Sequence, residues 1–393
     1  MFYIVIAIAT ILPFSYTLSS LLLVAGWAVY IYKSVKGIFE WKKTPLDFPI
    51  MLFVVIAFLS VFVSPDPAFS FYNYYNLVGR YVLTYYLVVQ SLDIRNTGQI
   101  KTFLTCICIS LLVVVIYGFM QAFLGIGVGQ SQMIWTDGDV FPGLKTRVFS
   151  TWQNPNLLGG YFDLMLGIVA GLFFVIKHKW VKIGLAILFC LTVFCLTLTY
   201  ARGACLSIGL VIAVYAAIYN RKILAGLLIL AMILLLCDTT LVERMTSIFT
   251  KMDTSSEMRL AFWESTIAMI LDHPLLGIGW GSYFMVYPTY DYYMQGNFIK
   301  IVHAHNMYLN FMAEIGLFGF ASYMAYYFGT IYKAFKAQAT KIELLLKSMI
   351  LGIGLGLVAL ALNGLTDYVM FNTELSMLVW LFSGVVITVC KNE

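Results

Sequence analysis

Residues 183–220 read IGLAILFCLTVFCLTLTYARGACLSIGLVIAVYAAIYN, and Arg202 is the one charged residue in them. A helix that crosses a bilayer needs about 20 consecutive, mostly apolar residues, so this segment is long enough for two crossings with a turn between them. The turn falls at TYARGACLS, where Gly203 suits the reversal. Arg202 at the turn has two readings. It can snorkel to headgroup phosphates, or it can mark a substrate path, since a charge at mid-depth costs about 2.5–3.5 kcal/mol on insertion scales.

The same texture runs through the chain. Of its 393 residues, 61% are hydrophobic and 11% charged, against about 45–50% and about 25% in soluble domains. Apolar runs at 2–14, 17–32, 48–64, 80–92, 102–124, 157–176, 183–200, 204–220, 223–238, 306–332, 344–363 and 374–390 predict about twelve transmembrane helices. The expected fold is an all-α, polytopic bundle, a single membrane domain over residues 1–393, without internal repeats or low-complexity segments.

Lysines and arginines cluster on alternate connections: Lys33 to Lys43, Arg95 and Lys101, Lys177 to Lys182, Arg221 and Lys222, Lys333 to Lys341, and Lys391. The positive-inside rule makes that side the cytoplasm and places both termini there. The first run has no basic n-region or small-residue cleavage site, so it reads as a retained span. The net charge of +5 is then a topology signal, and nucleic acid is excluded as a partner. The seven cysteines lie within or at the ends of spans and imply neither zinc nor a disulfide framework.

On the opposite, outer face stand two long loops, 125–156 and 239–304. Arg80, Lys145, Arg147, Arg202, Arg244, Lys251, Arg259 and Lys300 collect on that face against the positive-inside bias. The larger loop carries TSSEMRLAFWESTIAMILDHP, residues 254–274, an amphipathic helix signal. Thr254 and Glu257 have capping-box spacing, Leu260, Trp263, Ile267 and Ile270 share a face, and Pro274 ends it. Asp137 and Asp139 have the D-x-D spacing of a divalent-ion site, although TDGD is equally a turn, the reading favoured here. LGIGWGSY, residues 276–283, lacks the P-loop lysine, so its glycines predict close backbone packing. The aromatics of FYNYYNLVGRY and YPTYDYYMQGNF anchor at the interface or stack on sugars. Of the four histidines, His178 and His273 read as surface residues, whereas His303 and His305 stand at the outer mouth of the span beginning at 306.

Taken in order, RVFSTWQNPNLLGGYF (147–162), TYARGACLS (199–207), MRLAFWESTIAMILDHPLLGIGWGSY (258–283) and HNMYLNFMAEIGLFG (305–319) resemble the signatures of the O-antigen ligase and O-antigen polymerase superfamily. The last is similar to the ligase-type pattern of His, Asn, nine free positions, Gly, two free positions, Gly, here His305, Asn306, Gly316 and Gly319. The resemblance implies a glycosyltransferase C-type helical bundle in the cytoplasmic (inner) membrane. It also implies transfer of a glycan from an undecaprenyl diphosphate-linked oligosaccharide to a glycan or lipid hydroxyl acceptor on the periplasmic or extracellular face. His305 would be the base, Arg147, Arg202 and Arg259 the diphosphate-binding arginines with Arg80 a further one, and Asn306, His303, Asn154, Asn156 and Trp280 supporting residues.

The chemistry fits those residue types. Guanidiniums make bidentate contacts to a diphosphate leaving group and can replace a metal there, so neither metal nor cofactor is expected. A neutral histidine takes the acceptor proton near pH 7, and direct displacement predicts inversion at the anomeric carbon. Glu314, about 13 Å further along the helix, is too deep to be that base and reads as a buried polar contact, as does Asp163. Asp291, Asp367 and Glu264 are the candidates for orienting His305. The alternatives are a repeat-unit polymerase of the same superfamily, a transporter or flippase for lipid-linked saccharides, and a structural scaffold. The transporter lacks support from related halves or mid-span coupling residues.

Overall fold

The computed structural model describes residues 1–38, 40–92, 97–129, 146–250, 254–291 and 300–390, and all regular secondary structure among them is helical. In chain order the helices are α1 (Phe2–Ile11), α2 (Tyr16–Val35), α3 (Asp47–Ser60), α4 (Pro67–Ser91), α5 (Thr97–Leu124), α6 (Pro155–Val175), α7 (Lys179–Thr197), α8 (Arg202–Tyr219), α9 (Arg221–Cys237), α10 (Thr239–Thr250), α11 (Thr254–Asp272), α12 (Tyr283–Tyr290), α13 (Met307–Lys336), α14 (Leu344–Asn363) and α15 (Thr373–Cys390). Every expected span falls on one of them. Among the described residues, seven are long and apolar enough to cross a membrane: α2, α5, α6, α7, α8, α14 and α15. An eighth is reached if α9 and the start of α10, bent by 105°, count as one. The difference from about twelve lies in α1 and α3, which are short, in the polar and aromatic α4, and in α13, which is broken at Gly316.

The chain forms two compact units. The first comprises residues 1–96, 255–336 and 364–393. In it α15 packs along α4, and α13 packs on α3 and α15. Its centre is aromatic: the fully buried Trp380 stacks on Tyr326 at 4.0 Å between ring centroids. Helix α4 begins well before the expected residue 80, because Asp66 accepts the Phe69 N–H at 3.0 Å and Pro67 occupies the first turn.

A break in α13 organises the rest of this unit. Gly316 has φ 66° and ψ −179°, which interrupts the helix and leaves carbonyls of the preceding turn without their intrahelical donors. The segment after α11 supplies the missing partners. Ile278 N–H donates to the Ala313 carbonyl at 2.8 Å, Gly279 N–H to that of Glu314 at 3.1 Å, and Leu317 N–H donates to the Pro274 carbonyl at 2.9 Å. A Cβ on Gly316 would collide with the Leu275 carbonyl, and one on Gly277 with the backbone of Ala313 and Glu314. The glycines of LGIGWGSY and of the HN-x9-G pattern thus face each other across one backbone contact. Glu314 joins the same contact, its carboxylate accepting the N–H groups of Gly281 and Tyr283.

The second unit comprises residues 97–254 and 337–363. Its inner pair is α6 and α14, whose apolar windows are 89% and 78% buried, whereas α7 and α8 are 33% buried. The pair meets through Gly167 and Gly171 on α6 and Gly352 and Gly356 on α14, small residues four apart that let the backbones touch. Beside them Asn363 Nδ2 donates to Asp163 Oδ2 at 2.9 Å, a buried polar contact as expected of Asp163.

A methyl-bearing side chain has no room at that crossing. Gly352→Val should lower the unfolding temperature of the detergent-solubilised protein by several degrees, in line with an overpacking cost of about 1–3 kcal/mol. Gly184→Val, at a position with open space around it, should leave it within about a degree. Equal melting of the two variants would remove the close crossing from the account of this unit's stability.

Candidate functional site

The segment His303-Ala304-His305-Asn306 enters α13 in the first unit, and its shape is set by the cap of that helix. Asn306 Oδ1 accepts the N–H groups of Tyr308 and Leu309, each at 3.0 Å, an N-cap arrangement. Its Nδ2 donates to the Leu365 carbonyl at 2.9 Å, and Met307 N–H donates to the Gly364 carbonyl at 2.7 Å. One asparagine therefore starts the helix and fastens it to the connection between α14 and α15. Just before it, His305 adopts φ 47°, a left-handed conformation uncommon outside glycine and asparagine.

That fastening carries Asp367 to His305. The His305 Nδ1 and Asp367 Oδ1 atoms lie 3.1 Å apart, and the same carboxylate oxygen accepts the Tyr368 N–H at 2.8 Å. Of the three carboxylates the sequence offered as partners for His305, the structure brings up Asp367; Glu264 is exposed, and Asp291 lies beside Tyr287. His305 keeps 32% of its side chain exposed while that of Asp367 is 8% exposed, so the imidazole is reachable from outside and the carboxylate is not.

His303 packs against this pair. Its ring meets that of His305 edge-on at 4.2 Å and stacks on Phe371 at 4.7 Å, and its Nδ1 accepts the His305 backbone N–H at 3.2 Å. Helix α11 covers the group from another side. Phe262 lies nearly parallel to the His305 ring at 5.9 Å, and Arg259, one turn earlier, is close enough to act electrostatically on both His303 and Asp367. The buried face of α11 is not the stripe of Leu260, Trp263, Ile267 and Ile270. It consists of Phe262, Ser265, Thr266 and Met269, packed on Tyr283, Tyr287 and Ala304, while Leu260 and Ile267 are exposed. The reason is a hydrogen bond: Thr266 and Tyr283 join hydroxyls at 2.8 Å, which turns the small polar face inward.

The electrostatics follow from burial and charge. Burial pushes His303 down from 6.5 to about 3, with the positive charges of His305 and Arg259 adding to it and Asp367 opposing. For Asp367 burial acts upward, but the His305 hydrogen bond and charge, with Arg259 and His303, outweigh it and hold the carboxyl below its ordinary range. His303, His305 and Asp367 also constitute a donor set of metal-ligand type. The sequence had considered a cation only at Asp137 and Asp139, which lie outside the described residues, as does Lys145.

The second unit holds a separate arginine group. Arg147 donates through Nε to the Thr199 carbonyl and through its terminal nitrogen to Asn156 Oδ1, both at 2.8 Å. Asn154 caps α6, accepting the Asn156 N–H at 2.8 Å, so the motif around Arg147 is tied to the α7–α8 turn. Arg202 opens α8 at that turn, and its guanidinium lies 3.5 Å from the Arg244 carbonyl. Arg244, counted in the sequence only among outward basic residues, is buried, and nothing in the local pattern of α10 announces that. In the first unit Arg80 donates to Asn76 at 3.1 Å and stands over the Tyr16 ring. Trp280 is buried between Phe53 and Phe311, with its carbonyl held by Ser70 at 2.7 Å.

Residues 186–324, the stretch holding Arg202, Arg259, His305 and the broken helix, match the family described as O-Antigen ligase. Over that stretch, less than half of the chain, the protein is similar to the O-antigen ligase domain. The match supports the superfamily resemblance drawn from the motifs, that of ligase- and polymerase-type glycosyltransferases. No curated protein matches the chain.

The buried neutral His303 gives the first unit an acid-side weakness. Between pH 6.5 and about 3 the unfolded chain takes up a proton that folded His303 refuses, so stability falls as pH drops through that window. Asp367 acts in the same sense but only below about pH 4.5, where its unfolded carboxyl begins to protonate. Between pH 6.5 and 4.5 the unfolding temperature of His303→Asn should fall less steeply than that of the wild type. Parallel curves would contradict the burial argument.

Proposed function

We propose that the protein is an inverting glycosyltransferase of the O-antigen ligase type. It moves a glycan from an undecaprenyl diphosphate carrier to a hydroxyl acceptor at the outer face of the cytoplasmic membrane. The observation that carries the reading is the pair His305 and Asp367, 3.1 Å apart, with the histidine reachable and the carboxylate buried. A proton on Nδ1, held by Asp367, leaves Nε2 with a lone pair. That nitrogen removes the acceptor's proton as its oxygen attacks the anomeric carbon, and the bond to the carrier phosphate breaks on the opposite side.

The leaving diphosphate gains charge as that bond breaks, and arginines stabilise it without protonating it. Arg259 is the one whose charge reaches His303 and Asp367. Arg147 and Arg202, with Arg80 as a further candidate, are assigned to diphosphate binding from the motif resemblance. Asn306 holds the base loop and Asn154 and Asn156 hold Arg147. The outer-face assignment rests on the alternation of lysine and arginine along the chain. A polymerase would use the same base and donor with a second lipid-linked repeat as acceptor, and a transporter would need no base.

An in vitro transfer assay separates these. Purified protein is given an undecaprenyl diphosphate-linked oligosaccharide with either a lipid A core or a second lipid-linked repeat. One glycan added to the core indicates a ligase, and a ladder on the repeat a polymerase. His305→Ala should lower turnover by at least about 100-fold with donor binding kept, and Arg259→Lys should rescue poorly because a lysine cannot make the bidentate contact. Undiminished transfer by His305→Ala would overturn the assignment of the base.

A further inference from the structure

We propose that His303, His305 and Asp367 form a binding site for zinc, and that zinc bound there silences the His305 base. One ligand atom from each residue lies within 4.8 Å of the other two. Around a tetrahedral zinc, with bonds of about 2.0–2.2 Å, neighbouring ligand atoms stand about 3.3 Å apart. The His305 and Asp367 atoms, at 3.1 Å, already span one such edge. His303, within 4.8 Å of the other two, must close toward an edge of about 3.3 Å to supply the third ligand.

The donor set narrows the metal. Two imidazoles and one carboxylate suit zinc and its transition-metal neighbours and disfavour magnesium and calcium, which take oxygen ligands. Three protein ligands leave the fourth zinc position to water. The ligands are also held in place beforehand: His303 stacks on Phe371, and Asp367 is fixed by the Tyr368 N–H. The exposed edge of His305 gives the ion its way in. Two costs oppose binding, the charge of Arg259 and the 3.2 Å hydrogen bond from the His305 amide to His303 Nδ1, should that nitrogen turn to the metal. Neither removes a ligand.

The inhibitory half rests on the proposed role of His305, and the binding half does not. Zinc on His305 Nδ1 displaces the proton there to Nε2, where a neutral ligating imidazole carries it, so Nε2 becomes an N–H donor and no longer accepts from an acceptor hydroxyl. Zinc would act as a brake on a reaction that needs no metal, and a chelator would release the brake.

The test titrates the detergent-solubilised full chain with zinc by calorimetry and with cobalt as a spectroscopic substitute. One equivalent is expected, with magnesium giving no heat. His303→Ala and Asp367→Asn should weaken zinc binding at least tenfold, and His178→Ala, at an exposed position outside the ligand set, should not. His303→Cys, shown to be folded by its melting curve, should keep the site and add a near-ultraviolet thiolate-to-cobalt band that the wild type with its native cysteines lacks. Wild-type affinity in both ligand variants, or no such band in the folded cysteine variant, would overturn the site. One equivalent bound with transfer activity unchanged would overturn only the braking role, and loss of the activity reading alone would leave the titration standing.

Discussion

The first unit depends on a requirement of backbone chemistry in an apolar setting: a carbonyl that loses its helical donor must find another. The break at Gly316 frees such carbonyls, and the segment from Pro274 to Gly279 meets them with its own N–H groups. The piece of α13 from Met307 to Ile315 is thereby held at both ends. The segment from Pro274 to Gly279 closes its C-terminal end, and Asn306 with the Gly364–Leu365 connection closes the other. His305, with its left-handed backbone, directly precedes the capping Asn306. The His305 imidazole is thus placed by pairing at both ends of a half-helix to which it does not itself belong.

The same arrangement explains how a buried carboxylate is kept ionised beside a histidine. Asp367 is shielded from water, which alone would favour its neutral form, yet an imidazole, an arginine and a backbone N–H offset the loss of solvent. His303 experiences the opposite balance and stays neutral. Two histidines two residues apart are therefore electrostatically unlike, one against the carboxylate and reachable, the other packed between rings. The H-x-H pattern in the sequence conceals that difference.

The helical bundle was legible in the sequence because long apolar runs are a strong local signal, and each of them became a helix. The start of α4 was not, since FYNYYN has the polarity of a loop and its helicity comes from the Asp66 cap and from packing against α15. His305 and the arginines were readable only as residues that resemble a pattern. Of their partners, Asp367 was readable only as one of three carboxylates and Thr199 not at all, because Asp367 stands 62 residues from His305 and Thr199 52 residues from Arg147, contacts that only the folded chain brings together. The glycines were readable as close packing, though not as packing against one another.

The orientation of α11 carries its own information. Leu260, Trp263, Ile267 and Ile270 share a face in the sequence, whereas the protein buries Ser265 and Thr266 with Phe262 and Met269 and leaves Leu260, Ile267 and Leu271 outward. In water such a helix would be the wrong way round, since exposed leucines and isoleucines gain nothing and buried hydroxyls need partners. Here Thr266 has its partners in Tyr283 and the Phe262 carbonyl, and an outward apolar face is stable where the surroundings are hydrocarbon or the lipid interface. The rule that apolar residues point to the core holds only when water is the alternative. For the helix that lays Phe262 and Arg259 over His305, the polar contacts inside decide which face turns in.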